Sequence, residues 1–314
     1  MFSRRQLHEV DSSSYNLGYM KRSAHITTHF AAAVLFFFSQ SVVIGADKAV
    51  DKHAHELQDL SKNKRADVEK KVFLDIRPAK TGWGKANVLT VQKVLHSAAA
   101  PLWQHFPGRE VKPIVVRAKG GPIVLFRRGS QGEYFVHLNT GGLLWAQYSF
   151  QFSHEFCHIL CGYDQDKTGN KWFEETLCEL ASLYSLRVMG QTWKTKPPFG
   201  HWKNYAKHLT SYAQQRIDAH PLPDGQSLAE FFEKQSAELY RNATNRKLNN
   251  IVAVQLLPLI EKEPKHWEAV TWLNAGKPAK PQTFKAFLKD WHDNCPQRHK
   301  GFVKEVAKMF EIKL

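Results

Sequence analysis

The chain has 314 residues, 43% of them apolar, and a formal net charge of +15; that suffices for one large folded domain or two lobes sharing a cleft. Basic residues are scattered rather than clustered beside aromatics, so no nucleic-acid partner is expected; the charge suits anionic surroundings such as cell-wall polymers, lipid head groups or acidic peptides, or else serves solubility. Four cysteines exclude a disulfide scaffold.

Residues 20–46 read MKRSAHITTHFAAAVLFFFSQSVVIGA. Lys21 and Arg22 form a basic start, an apolar stretch runs from Phe30 to Ile44, and Gly45-Ala46 offers a small-residue cleavage site. This is the pattern of a secretory signal peptide, with Met20 as the true start and residues 1–46 forming an N-terminal extension plus signal. The apolar stretch is short for a membrane span and carries Ser39, Gln40 and Ser41, so a membrane is involved only if this segment stays uncleaved. The protein is expected to be exported, to a periplasmic or extracellular location. Residues 47–71 are polar and charge-dense and are expected to be a linker.

From residue 72 the pattern becomes that of a folded protein, and all nine tryptophans lie beyond residue 80. KVFLDIRP (71–78) alternates like a strand and ends at Pro78. Residues 84–105 place Val88, Val91, Val94 and Leu95 at helical spacing. Three more strands are expected at VKPIVVRA (111–118), GPIVLFRR (121–128) and EYFVHLNT (133–140). Gly120-Gly121 and the stretch from Gly129 to Gly132 separate them, both read as hairpin turns. GLLWAQYSFQFSHEFCHIL (142–160) reads as a helix ended near Gly162, and KWFEETLCELASLYSLRVM (171–189) as a second. Beyond Gly200 the chain is mostly helical, with breaks at HPLPDG (220–225) and NAGKPAKPQ (274–282). Strands followed by helices indicate an α+β fold, with a subdomain over 72–199 and a helical C-terminal lobe over 200–314.

The chemistry is concentrated in the first of these two helices. His154-Glu155-x-x-His158 puts two imidazoles one helical turn apart on the same face, where both reach one metal ion. Glu155, beside the first ligand, can touch a water on that metal without binding the ion itself, the position of a general base. Two histidines do not complete a catalytic zinc site, which takes three protein ligands. Asp164 is one candidate for the third, since it falls where a metzincin-like pattern would carry its third histidine. That pattern has a glycine at the position of Cys161, so that the chain turns sharply out of the helix, and here the glycine comes one residue later, at Gly162. The other candidates lie on the following helix. Glu175 and Glu179 are four apart and share a face, so Glu175 is assigned as ligand and Glu179 as the group holding a histidine's free N–H. Glu174 shares its face with Cys178 instead. Among the cysteines, Cys157 and Cys161 sit badly for bridging each other; Cys161 with Cys178 could bridge in an oxidising compartment, and buried free thiols are the alternative.

His154-Glu155-x-x-His158 followed by Glu175 in "WFEE" resembles the gluzincins, the thermolysin-like and aminopeptidase-like zinc peptidases, over roughly residues 72–190. Two departures are visible. Glu179 stands where the thermolysin-like pattern has an aspartate, and the Gly-Ala-Met-Glu-Asn signature of the aminopeptidases is absent. The resemblance implies a zincin-like fold, a small mixed sheet with a helix packed on it, one Zn2+ and hydrolysis of a peptide or protein substrate with Glu155 as general base. It also implies that an edge strand, GPIVLFRR or EYFVHLNT, aligns the substrate by backbone hydrogen bonds. A tyrosine or histidine from the C-terminal lobe would then stabilise the oxyanion, with Tyr205, His208, Tyr212 and Tyr240 as candidates. A non-catalytic zincin-fold binding or structural protein of the cell envelope is the alternative.

Overall fold

Asn87 starts the first helix by accepting a hydrogen bond from Thr90 N on its side-chain oxygen at 2.8 Å, which satisfies one of the orphan donors of the first turn. The helix, α1 (Val88–Trp103), turns Val91, Val94, Leu95, Ala98, Ala99 and Leu102 inward and links two parallel strands, β1 (Ile76–Pro78) and β2 (Ile114–Arg117). The structure, a computed structural model, describes residues 73–163, 168–276, 278 and 280–314, within a unit spanning Lys62–Leu314. The expected signal peptide, the expected start at Met20, the expected linker over 47–71 and Asp164 lie outside the described residues.

Beyond β2 come β3 (Ile123–Val124) and β4 (Tyr134–His137), and the sheet order is β1-β2-β4-β3. β2 and β4 are parallel, while β3 runs antiparallel to β4 at the edge. The expected hairpin between the second and third strands does not form. The chain instead crosses at Gly120-Gly121 to the far side of β4, and only the β3–β4 connection is a hairpin. The crossing presses the backbone against β4 so closely that a Cβ on Gly121 would lie 1.9 Å from the carbonyl oxygen of His137. Only glycine fits there.

Two helices then form the centre of the molecule. α2 (Trp145–Cys161) and α3 (Lys171–Thr192) pack on each other and on α1. α2 carries aromatic residues through its middle, and Phe152 and Phe156 are fully buried, each worth about 1.5–3 kcal/mol of transfer free energy. Polar side chains pin it at fixed depth, as Ser153 Oγ donates to Ala98 O at 3.1 Å and Ser182 Oγ to Phe150 O at 2.7 Å. Its C-terminus stops at Gly162, in left-handed backbone with φ 63°. Arg109 caps the last turn, donating to Leu160 O at 2.8 Å and Ile159 O at 3.3 Å, and also to Thr271 Oγ1 at 2.8 Å.

α3 is buried around most of its circumference, the mark of a central helix. The rest of the chain wraps it: a 3-10 turn (Gly200–Tyr205), α4 (Ala206–Asp218), α5 (Leu228–Arg241), α6 (Arg246–Lys262), a 3-10 segment (Pro264–Trp272), α7 (Phe284–Asn294) and α8 (Gln297–Met309). α4 and α6 pack directly on α3, while Trp172 and Phe173 at its start stack among Phe284 and Phe310. The fold is therefore α+β, a small mixed four-stranded sheet in a largely helical body. No described helix is long and apolar enough to cross a membrane.

Candidate metal centre

α2 and α3 lie side by side, and their facing turns carry the histidines and the glutamates of the site. His154 and His158 are both buried, with ring centroids 5.1 Å apart. Glu175 reaches both: its Oε2 lies 3.2 Å from His154 Nε2 and 3.6 Å from His158 Nε2. Bonds of about 2.0–2.1 Å at tetrahedral angles put neighbouring ligand atoms about 3.4 Å apart. The two separations bracket that value.

The other ring nitrogens are engaged from behind. His158 Nδ1–H donates to Glu174 Oε1 at 2.5 Å, and Glu174 Oε2 accepts from Asn274 Nδ2 at 2.6 Å. Asn274 Nδ2 also lies 3.3 Å from Cys161 O, at the end of α2. With Nδ1–H committed to Glu174, the proton His158 would give up to a metal is the one on Nε2, which faces Glu175 Oε2. His154 Nδ1 faces Glu179 Oε1 at 3.7 Å. Glu179 is buried, and among the described residues neither of its carboxylate oxygens has a hydrogen-bond partner. A buried carboxylate without donors is costly, and the group within reach is the N–H of His154.

The electrostatics follow from this crowding. Burial alone disfavours charged imidazoles, but the carboxylates outweigh it: Glu175 raises the pKa of His154, and Glu174 with Glu175 raises that of His158 well above the ordinary value. Burial pushes Glu175 towards neutrality, yet its hydrogen bonds with the two histidines hold its carboxyl far below the usual range. Lys171 Nζ lies 3.5 Å from Glu175 Oε1 and 3.9 Å from Glu174 Oε1. Lys171 thus engages Glu175 through one oxygen while the other faces the histidines.

Cys178 enters from α3 as well. The donor atoms of His154, His158 and Cys178 all lie within 4.8 Å of one another, forming a buried group that could hold a metal ion. All four cysteines are free and buried, so Cys161 and Cys178 are unbridged; Cys157 Sγ lies 4.0 Å from Cys161 Sγ and donates to Leu177 O at 3.6 Å. Glu175 and Cys178 therefore compete as third donor, and access separates them. Glu175, His154, His158 and Glu155 line one cavity of about 210 Å3, and Cys178, fully buried, does not.

The cavity opens between the edge strand and the start of α6. Pro122, Ile123, Val124 and Phe126 supply an apolar wall, and Tyr163, Lys171, Thr244 and Arg246 supply the remaining polar groups. Tyr163 donates its hydroxyl to Leu125 O at 2.6 Å, tying the end of α2 to the edge strand, and burial pushes its phenol up to about 12.

His154, Glu155, His158 and Glu175 thus meet at one cavity, with Glu179 behind His154. The four oxyanion candidates do not reach it. Tyr205, His208 and Tyr212 line a different cavity beside Leu144 and Gln147, and the Tyr205 hydroxyl accepts from Ala146 N at 3.3 Å. Tyr240 is 40% exposed on α5. These side chains follow helices that pack on α3 and on the N-terminal part of α2, away from the metal-facing turn. Glu174, which helical spacing set on the face of Cys178 and apart from the ligands, instead contacts His158. Asn274, Lys171 and Arg246 escaped sequence reasoning; for Asn274 nothing in the local sequence marks a contact spanning 100 residues.

No protein-family profile, curated protein or solved structure matches the chain.

Proposed function

We propose that the chain is an exported zinc-dependent peptidase of gluzincin type, with zinc held by His154, His158 and Glu175. The observation that carries this reading is the position of Glu175 Oε2, 3.2 and 3.6 Å from the two Nε2 atoms and facing the cavity that also contains Glu155. The donor set, two imidazoles and a carboxylate, suits zinc with one position left for water or substrate. The partnerless carboxylate of Glu179 beside His154 Nδ1 supports it further, because a metal-binding histidine characteristically donates its other N–H to such a group. Zinc, when bound, would polarise the scissile carbonyl and bring the pKa of a water towards neutrality.

The chain's own residues supply the rest. Glu155 takes the proton of the attacking water and passes it to the leaving amine. Glu174 and Asn274 fix the ring and tautomer of His158, and Lys171 holds the second oxygen of Glu175. β3 is an edge strand on the cavity wall, so an extended peptide laid along it would be aligned by backbone hydrogen bonds. The apolar residues around it exclude water from the reacting bond. Export rests on the signal-like segment 20–46.

A second reading has its own observation. His154, His158 and Cys178 form a buried donor set whose cysteine lies outside the cavity, which suits a structural metal in a non-catalytic envelope protein. The substitution Glu155→Gln separates the two. The peptidase reading predicts full zinc content with hydrolysis of a mixed peptide library reduced by about 10²–10⁴-fold. Wild-type protein that binds zinc stoichiometrically and cleaves no peptide supports the second reading.

A further inference from the structure

Four side chains of the carboxylate or cationic types line the cavity besides the histidines: Glu155, Glu175, Lys171 and Arg246. Three have assigned partners or tasks. Glu175 faces the histidines, Lys171 lies against Glu175, and Glu155 is the base. Arg246 has none. It is exposed at the first position of α6, and among the described residues its guanidinium has neither an ion-pair nor a hydrogen-bond partner. Thr244, two residues earlier, adds a hydroxyl to the same part of the wall.

The lining gives this arginine a direction. Of the two cations there, Lys171 faces Glu175, and among the described residues no carboxylate faces Arg246. An apolar wall from the β3 side therefore meets a wall with an uncommitted cation. A guanidinium presents a planar fork of donors that matches a carboxylate through two parallel hydrogen bonds. It gains little from a neutral amide and repels a lysine.

Resting on the peptidase reading above, we propose that Arg246 selects substrates carrying a carboxylate beside the cleaved bond. That carboxylate is either the free C-terminus of a short peptide or an acidic side chain. Arg246 is a specificity residue and takes no part in the bond-breaking step.

The test uses the zinc-loaded full chain and one fluorogenic peptide in matched forms: free C-terminal acid or amide, and glutamate, glutamine or lysine at positions flanking the cleaved bond. The wild type is expected to cleave carboxylate-bearing forms about tenfold better in kcat/KM, mainly through KM, as for one charge-assisted hydrogen-bonded pair at an exposed site. Arg246→Gln is expected to erase the preference while leaving the neutral forms at wild-type rates, and Arg246→Lys to restore part of it. Discrimination confined to the acid and amide pair identifies the C-terminal carboxylate, and discrimination confined to the glutamate and glutamine pair identifies a side chain. Equal cleavage of all forms by the wild type overturns the proposal, as does an equal loss on every form in Arg246→Gln. Binding of the same peptides to Glu155→Gln by fluorescence anisotropy gives an answer independent of turnover. Equal binding of acid and neutral forms overturns the Arg246 role, whereas no cleavage by the wild type overturns the peptidase reading alone.

Discussion

His158 Nδ1 and Glu174 Oε1 lie 2.5 Å apart, and the second oxygen of that carboxylate takes a hydrogen bond from Asn274. The chain Asn274–Glu174–His158 runs from the segment after the second 3-10 turn, through α3, to the metal-facing ring on α2. It fixes the ring orientation and holds the proton on Nδ1, and such supports characteristically contribute 10–100-fold in metal affinity. Glu174→Gln is therefore expected to weaken zinc binding by about 10–100-fold in chelator competition, and Asn274→Ala to weaken it by less. Unchanged affinity in Glu174→Gln would contradict the role assigned to this contact.

Glu175 and Cys178 make opposite predictions for zinc retention. Glu175→Ala removes the donor that faces both Nε2 atoms and the cavity, so zinc is expected to be lost on dialysis. Cys178→Ser is expected to leave one equivalent bound and to cost stability only, through a buried hydroxyl with poorer packing. Metal analysis of both variants checks this; loss of zinc from Cys178→Ser with retention in Glu175→Ala would reverse the ligand assignment.

Zinc binding is expected to release protons. The ion takes neutral imidazoles, and the carboxylates hold the pKa of His154 and His158 above the ordinary value of about 6.5. At a pH between that value and the raised ones, a proton must leave before the ion binds, so affinity rises with pH across this window. Glu175, with its pKa depressed, is already ionised there and releases nothing. Calorimetry in two buffers of different ionisation enthalpy near neutral pH should show about one to two protons released, and no dependence on buffer would refute the sign.

Much of the centre was legible because helical spacing is a local rule. His154 and His158 at i and i+4 had to share a face, and Glu175 with Glu179 followed from the same geometry on the next helix. The rule could not report which face of α3 meets α2 at which height, and that height brings both Glu175 and Cys178 near the histidines and sets Glu174 against His158. The sheet shows the same boundary. Each expected strand contains a strand of the fold, yet Gly120-Gly121 reads equally well as a hairpin or as a crossing. Only the approach to His137, a contact across the sheet, makes it a crossing. Tyr205 and its neighbours were residues of the right type, but their direction is set by packing on α3, which no spacing records.

Gly162 offers a test of how α2 ends. Its φ of 63° and ψ of 43° are left-handed, and a Cβ added there meets nothing within 4 Å. The cost of Gly162→Ala is therefore purely backbone, about 1 kcal/mol, read as a lower midpoint in urea unfolding. Zinc content should not change, because His154 and His158 lie at least one turn earlier on the helix. A gain in stability would show that the turn is not held in this conformation.

The most direct measurement is X-ray absorption at the zinc edge of the full-length protein loaded with one equivalent of zinc. Ligation by His154, His158 and Glu175 predicts only nitrogen and oxygen neighbours, at about 2.0–2.1 Å, while a sulfur neighbour at about 2.3 Å would place Cys178 in the centre and contradict the assignment of Glu175.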